Sequence, residues 1–202
     1  MSYKSKPLPL TFACAAIESK LFPPDAGKEI ALCGRSNSGK STLINALANQ
    51  KKLAKTSNTP GRTQSINFFH LANDKAKKIV DLPGFGYAKA SKQDQNAWAR
   101  LIMSYLEKRA ALSDLILIMD IRHPFQIKDQ EFLSLCESLN LPIHLVLTKA
   151  DKLNNKETQN ALKVVSEKMI AYPNIVDSLT FSATKKTGLE TLLNKIRLIL
   201  EL

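Results

Sequence analysis

Short apolar runs alternate with longer amphipathic stretches along this chain, and that alternation sets the first expectation. The runs at 29–33, 65–71, 77–81, 115–120, 143–148 and 175–181 have the length and aliphatic character of buried strands. Between them, 40–49, 94–111, 126–139, 156–171 and 188–200 place apolar residues at helical spacing. In the last of these, Leu189, Leu192, Leu193, Ile196 and either Ile199 or Leu200 form one stripe with Lys195 and Arg197 outside it, as in a helix that docks on a sheet. Trp98, Leu101 and Tyr105 likewise share a helical face, which points to core burial rather than to base stacking. Strand and helix in alternation predict an α/β domain with a mostly parallel sheet of six strands. Too few residues separate 65–71 from 77–81 for a helical crossover, so this pair is expected to be an antiparallel hairpin turning near Asn73 and Asp74, which makes the sheet mixed. Binding loops in such a sheet gather beyond the carboxyl ends of the strands.

Two polar stretches interrupt the pattern: 50–63, lysine-rich and containing Pro60 and Gly61, and 84–93. Irregular segments of that length in a compact domain tend to carry function. With 202 residues, 44% of them hydrophobic, the chain supports one core rather than two. It divides into an N-terminal extension, 1–27, packed on a single globular domain, 28–202. The formal charge is +11, from 29 Lys and Arg against 18 Asp and Glu, and favours a polyanionic partner such as nucleic acid. A solvated, self-repelling surface explains the same number, and composition does not separate the two. Cys14, Cys33 and Cys136 have no paired spacing, so neither a disulfide framework nor a zinc site is expected, and a reducing cytoplasm fits them. Lys4 and Lys6 before the apolar stretch 7–17 imitate a secretion signal, but the stretch is short and Pro7 and Pro9 interrupt it. No window approaches the apolar length of a membrane span, so a soluble chain is expected. His70, His123 and His144 are scattered, which suits local packing or hydrogen bonding better than metal binding.

The run ending at Cys33 leads into Gly34-Arg35-Ser36-Asn37-Ser38-Gly39-Lys40-Ser41 and then a helix, the P-loop pattern in the strand-to-helix context it requires. Its glycines let the backbone aim N–H groups at phosphate oxygens, and the following helix, beginning Lys40-Ser41-Thr42, adds a favourable dipole. Lys40 is expected to reach the β and γ phosphates and the Ser41 hydroxyl to ligate Mg²⁺. The run ending at Leu147 delivers Thr148-Lys149-Ala150-Asp151 to the same end of the sheet, where the sequence resembles the base-recognition motif of translation-factor-type GTPases. A carboxylate at Asp151 accepts hydrogen bonds from the ring N–H and the exocyclic amine of guanine, which adenine does not offer, while the Lys149 stem lies against the base. Asp81-Leu82-Pro83-Gly84 looks like the motif whose aspartate holds Mg²⁺ through water and whose glycine N–H meets the γ-phosphate. Within Thr59-Pro60-Gly61-Arg62-Thr63-Gln64, Thr63 is the candidate that completes the Mg²⁺ shell. Phe181-Ser182-Ala183 resembles the weak motif whose backbone meets the guanine oxygen.

These motifs, in order from Gly34 to Thr184, are similar to those of TRAFAC-class GTPases. With Asp81-Leu82-Pro83-Gly84-Phe85-Gly86-Tyr87-Ala88 and Asp120-Ile121-Arg122-His123 added, the chain resembles the EngB family, also called YsxC or YihA. The resemblance implies a three-layer P-loop NTPase of the Ras-like G-domain type, a monomer with Lys40, Thr63 and Gly84 at the reacting phosphate, linked to large ribosomal subunit assembly and to cell division and septation. Phe85 stands where many GTPases carry a water-orienting glutamine, so slow intrinsic hydrolysis is expected. Asn37 matches the asparagine of potassium-stimulated GTPases, and a K⁺ ligand and a tight-turn residue remain equal readings of it. Arg35 and Arg62 are read as positioning residues near the phosphates. Asp120-Ile121-Arg122-His123 is either an internal ion pair or a cap. The competing functions are a nucleotide-gated RNA- or protein-binding module with negligible turnover and a small-molecule kinase, the latter disfavoured by Asp151.

Overall fold

In the computed structural model, which describes residues 6–54, 65–85 and 92–202, one sheet runs in the order β1-β3-β4-β2-β5-β6-β7. Strand β2 (Lys28–Gly34) lies at its centre between β4 (Asp74–Asp81) and β5 (Leu112–Asp120), and β6 (Ile143–Thr148) and β7 (Ile175–Thr180) follow β5 outward. All five are parallel. Strand β3 (Ile66–Leu71) is antiparallel to β4, and Leu71 faces Asp74 across the turn, so the expected hairpin forms. Strand β4 starts at Asp74 rather than 77 because pairing with β3, not apolarity, carries it outward over exposed Lys75 and Ala76.

The expected count of six strands is corrected to seven. Strand β1 (Leu10–Ala16) comes from the N-terminal segment and pairs antiparallel with β3, Leu10 opposite Leu71 and Ala16 opposite Ile66. Two features hide it from a periodicity search: an irregularity between Phe12 and Cys14 breaks the alternation of faces, and Pro9 stands immediately before its first residue. Leu8, Leu10 and Ala16 are buried, so this segment contributes to the core.

Helices cover both faces. On one, α1 (Lys40–Ala48) and α5 (Leu189–Leu200) bury Leu43, Leu47, Leu192 and Ile196 against Ile30, Leu32, Ile116 and Val146. On the other, α2 (Lys92–Lys108), α3 (Ile127–Ser138) and α4 (Asn155–Met169) pack Tyr105, Phe132 and Val165 with Ala31, Cys33, Leu117 and Leu145. Successive residues of the central strands face opposite layers, which is why each reads as a continuous apolar run. Each such aliphatic side chain contributes about 1.5–3 kcal/mol on burial. Leu101 and Tyr105 are buried, as their helical spacing predicts, and Trp98 packs against the same cluster. Helix α4 opens on a reciprocal cap: Asn154 Oδ1 accepts the Glu157 N–H at 2.9 Å and Glu157 Oε2 accepts the Asn154 N–H at 2.8 Å. All three cysteines are free thiols, and no helix among the described residues is long and apolar enough to cross a membrane.

Parallel strands bring their carboxyl ends to one edge. Gly34, Asp81, Asp120, Thr148 and Thr180 end β2, β4, β5, β6 and β7, and the candidate functional residues lie at these positions or just beyond them.

Candidate functional site

The loop between β2 and α1 is wound so tightly that its first residue has no room for a side chain. A Cβ at Gly34 would stand 2.5 Å from the Ile118 carbonyl oxygen and 2.8 Å from Ser38 Oγ. Within the loop the Ser38 N–H donates to the Arg35 carbonyl at 3.1 Å, and Asn37 takes φ +64°, a left-handed conformation that asparagine tolerates. The α1 ladder begins with the Leu43 N–H on the Gly39 carbonyl at 2.9 Å, so Lys40, Ser41 and Thr42 form a first turn whose N–H groups have no partner within the helix. The Lys40 ammonium pairs with Asp81 Oδ1, and Asn67 Nδ2 donates to the other Asp81 oxygen at 3.4 Å.

Residues 82–85 are zipped onto that loop. The Leu82 N–H donates to the Leu32 carbonyl at 2.9 Å, the Phe85 N–H to the Gly34 carbonyl at 3.3 Å, and the Ser36 N–H back to the Phe85 carbonyl at 3.0 Å. Gly84 lies so close that a Cβ there would be 3.3 Å from the Ser36 nitrogen. Leu82 turns its side chain into the core and Pro83 offers its carbonyl to the Trp98 indole N–H at 3.2 Å. Phe85 is buried, stacked on Phe132 with ring centroids 5.0 Å apart and edge-on to Trp98 at 6.4 Å. Of the sequence candidates, Thr59, Pro60, Gly61, Arg62, Thr63 and Gln64, and likewise Gly86, Tyr87 and Ala88, lie outside the described residues.

On the other side of the loop, Thr148 is buried and its hydroxyl lies between the Ser38 and Met119 carbonyls, donating to the nearer, Ser38, so it ties β6 to the loop rather than opening toward solvent. Lys149 adopts φ +61° and sends Nζ to the Asn37 carbonyl and to Asp120 Oδ2, 2.9 Å in each case. Asp120 also takes both Arg122 Nη2 at 2.7 Å and the Arg122 backbone N–H at 3.1 Å, so its motif is an ion pair and a cap at once. Burial pushes the Asp120 carboxyl upward, but the Arg122 and Lys149 hydrogen bonds outweigh it and hold the group well below the ordinary carboxylate range. Asp151 Oδ1 accepts the Ser182 hydroxyl at 2.7 Å, and that bond is the main reason its carboxyl lies below the ordinary value. The Ala150 N–H reaches the Phe181 carbonyl at 3.3 Å and the Phe181 N–H the Leu147 carbonyl at 2.8 Å, which sets Phe181, Ser182 and Ala183 beside Lys149, Ala150 and Asp151.

The fold thus gathers 34–42, 81–84, 148–151 and 181–183 at one edge. Sequence reasoning passed over Asn67 and Asp129 and left Asp120 undecided. Asp120 had a usable signal, since it closes the β5 run opposite Thr148 in the neighbouring lane. Asn67 and Asp129 had none, being a polar residue within a strand and an ordinary acid in a first helical turn.

Comparison with known proteins agrees with this geometry. A family described as 50S ribosome-binding GTPase matches residues 29–149. A probable GTP-binding protein EngB of Enterobacter sp. (strain 638) is 43% identical over 185 residues, 92% of this chain and 88% of that protein. One from Escherichia coli (strain K12 / MC4100 / BW2952) is also 43% identical, over 92% of this chain and 87% of its own. Among solved structures, the crystal structure of a probable GTP-binding protein engB superposes with a TM-score of 0.68 at 28% identity, covering 86% of this chain and 98% of that one. Era in complex with MgGDPNP and nucleotides 1506–1542 of 16S ribosomal RNA shares the fold, with a TM-score of 0.64 at 23% identity over 85% of this chain and 56% of its own. Matched nearly end to end in both directions, and built on the GTPase fold, the chain belongs to the EngB family of GTP-binding proteins.

Proposed function

We propose that this protein binds GTP and GDP with Mg²⁺, hydrolyses GTP slowly on its own, and acts as a GTP/GDP switch in assembly of the large ribosomal subunit, on which normal cell division and septation depend. The observation that carries the guanine reading is the Asp151 carboxylate, kept ionised by the Ser182 hydroxyl at 2.7 Å, at the same edge of the sheet as the phosphate loop. A carboxylate so held accepts from two adjacent donors of guanine and finds neither in adenine, and each charge-assisted bond contributes about 1.5–3 kcal/mol. Lys149, tied to the Asn37 carbonyl, supplies its stem as a surface for the base. Gly34 through Thr42 cradle the phosphates by backbone N–H, with Lys40 on the β and γ groups and the Gly84 N–H on the γ-phosphate. Gly61 and Arg62, outside the described residues, are assigned to the phosphates by their place in the sequence motif alone.

The chemistry of the donors fits Mg²⁺: the Asp81 carboxylate beside Lys40 and the hydroxyl of Ser41, the next residue along α1, are hard oxygen ligands, and Thr63, outside the described residues, would add a further hydroxyl. When bound, the ion neutralises charge on the phosphates. Ser41 and Asp81 would hold it, and Lys40, now paired with Asp81, would turn to phosphate oxygen. Phe85 sits in the core and cannot orient an attacking water, which supports slow turnover; rapid multiple turnover by the isolated protein contradicts it.

The ribosomal role is supported by the family description and by the +11 charge. Turnover stimulated by large-subunit particles is expected; unchanged, negligible turnover with those particles present selects the gated binding module instead. The left-handed backbone of Asn37 accounts for asparagine there without an ion. A potassium role therefore rests on hydrolysis rates, which it requires to fall when Na⁺ replaces K⁺. For the base itself, Asp151→Asn is expected to weaken GTP binding by about 10- to 100-fold, from one to two tenfold steps of 1.4 kcal/mol each, and to improve xanthine nucleotide binding. Unchanged GTP affinity removes Asp151 from the site.

A further inference from the structure

The cleft of about 160 Å³ between the phosphate loop and the start of α3 is lined by Ser38 and Asp129, and each carries a buried polar atom, Oγ and Oδ1, with no hydrogen-bond partner among the described residues. Asp129 is 1% exposed. Its Oδ2 accepts the Gln126 N–H at 2.9 Å and completes the α3 cap, which leaves Oδ1 without a partner in a residue that lines the cleft. A buried acceptor without a donor costs about 1–3 kcal/mol, more if charged, and capping needs only the other oxygen. Arg35 lines the same cleft, half-buried, and its charge bears on Asp129, yet its side chain makes no hydrogen bond or ion pair among the described residues.

We propose that Asp129 is a positioning residue for the phosphate loop: the Arg35 guanidinium docks in this cleft, donates to Asp129 Oδ1 and Ser38 Oγ, and locks residues 34–38 in the shape that holds nucleotide phosphates. The inference rests on the nucleotide-binding reading above. Guanidinium carries five donors in a rigid planar fork and serves both acceptors at once in a fixed geometry, whereas the lysine ammonium is a flexible point charge. The lock also reaches the segment after Asp81. The Arg35 backbone bridges to Phe85, and Phe132, three residues on from Asp129, stacks on the Phe85 ring, so α3 holds this junction by charge and by packing.

Burial pushes the Asp129 carboxyl up to about 6, against the pull of the Gln126 N–H and Arg35. Docking of Arg35 favours the ionised form, so nucleotide binding expels a proton and weakens as pH falls through that range. The other titratable or charged groups near the cleft are His123, the Cys33 thiol, and the Asp120 and Lys149 pair. Cys136 lies on the same helix, and Lys128 and Glu131 of α3 pair with each other in solvent.

The test is GDP affinity of the full chain between pH 5.5 and 8 for the wild type, Asp129→Asn, Arg35→Gln, Arg35→Lys, the Arg35→Gln/Asp129→Asn double variant and His123→Gln, with thermal unfolding of each. Asparagine at 129 keeps a capping oxygen and removes the charge. Each single change at 35 to Gln or 129 to Asn is expected to weaken GDP about tenfold, equivalent to about 1.4 kcal/mol, the double variant no more than the weaker single, and Arg35→Lys by an intermediate amount. The fall toward pH 5.5 flattens in Asp129→Asn and persists in His123→Gln. Wild-type affinity in Asp129→Asn, or losses that multiply in the double variant, overturns the inference. If Asp129→Asn fails to fold, Arg35→Gln decides alone: wild-type affinity and an unaltered pH profile overturn it. A wild type that binds no GDP instead removes the nucleotide reading itself.

Discussion

At the amino-terminal ends of the strands, the fully buried Glu29 has both oxygens occupied: Oε1 by Arg109 Nη2 at 2.6 Å and Lys78 at 3.2 Å, Oε2 by Arg109 Nε at 2.9 Å and the Tyr105 hydroxyl at 3.0 Å. At the carboxyl-terminal ends, Asp129 and Ser38 are also buried, and each keeps an atom with no partner among the described residues. The first cluster also staples the N-terminal segment, since Arg109 Nη1 donates to the Pro23 carbonyl at 2.8 Å and Asp25 caps the Ala110 and Ala111 N–H groups at 2.9 Å. One end spends its polar groups on holding the chain together. The cleft beside the phosphate loop instead leaves two acceptors without partners among the described residues, although Asn174 Oδ1 and Asp177 Oδ1 at the start of β7 are unpaired too. Stability and ligand affinity should therefore respond separately to substitution at the two ends.

The largest expected effect is at Glu29. Glu29→Ala leaves Arg109 and Lys78 buried without their carboxylate and is expected to lower unfolding stability by about 3–5 kcal/mol in a denaturant titration. GDP affinity of the folded fraction should stay at the wild-type value; a parallel loss of affinity would show that the ends are coupled. Lys40→Ala inverts the pattern. Loss of one charge-assisted phosphate contact of about 1.5–3 kcal/mol weakens GDP by roughly one to two orders of magnitude, while stability without nucleotide falls less than in Glu29→Ala, because the orphaned Asp81 carboxylate keeps the Asn67 amide as a donor.

His144 sharpens the comparison through pH. It sits near the start of β6 between Asp114 at 3.2 Å and Asp177 at 3.1 Å. Burial lowers its affinity for a proton, but the two carboxylate hydrogen bonds more than compensate, so the imidazole titrates above its ordinary value. A raised folded value means stabilisation that is complete below the unfolded pKa near 6.5 and lost as pH rises through the folded value. Tm should therefore fall by a few degrees between pH 6 and 8 in the wild type and not in His144→Gln. Asn154→Ala gives the smallest effect: loss of the α4 cap costs about 1 kcal/mol, read as a lower denaturant midpoint with unchanged GDP affinity.

Much of this layout is legible in the sequence because the strands that carry the site are buried on both faces and read as unbroken apolar runs, each ending on a residue with chemistry: Gly34, Asp81, Asp120, Thr148. The edge strand β1 is not legible, since Phe12 lies half exposed beside an irregular register and prolines precede it. Glu29 reads as the polar start of a strand, and nothing local links it to Arg109, which closes on it through a separation of 80 residues. Asp129 is hidden for a different reason. Its sequence environment describes a helix cap, and its second oxygen acquires meaning only when β2 and β5 bring the phosphate loop against α3.

The measurement that tests the central claim most directly is calorimetric titration of nucleotide-free protein with GDP, a non-hydrolysable GTP analogue and the matching ATP analogue, each with Mg²⁺. Binding of both guanine nucleotides, with the ATP analogue weaker by at least about 100-fold, is the predicted result. Equal or tighter binding of the ATP analogue contradicts the assignment of Asp151 and Ser182 as the base-recognition pair.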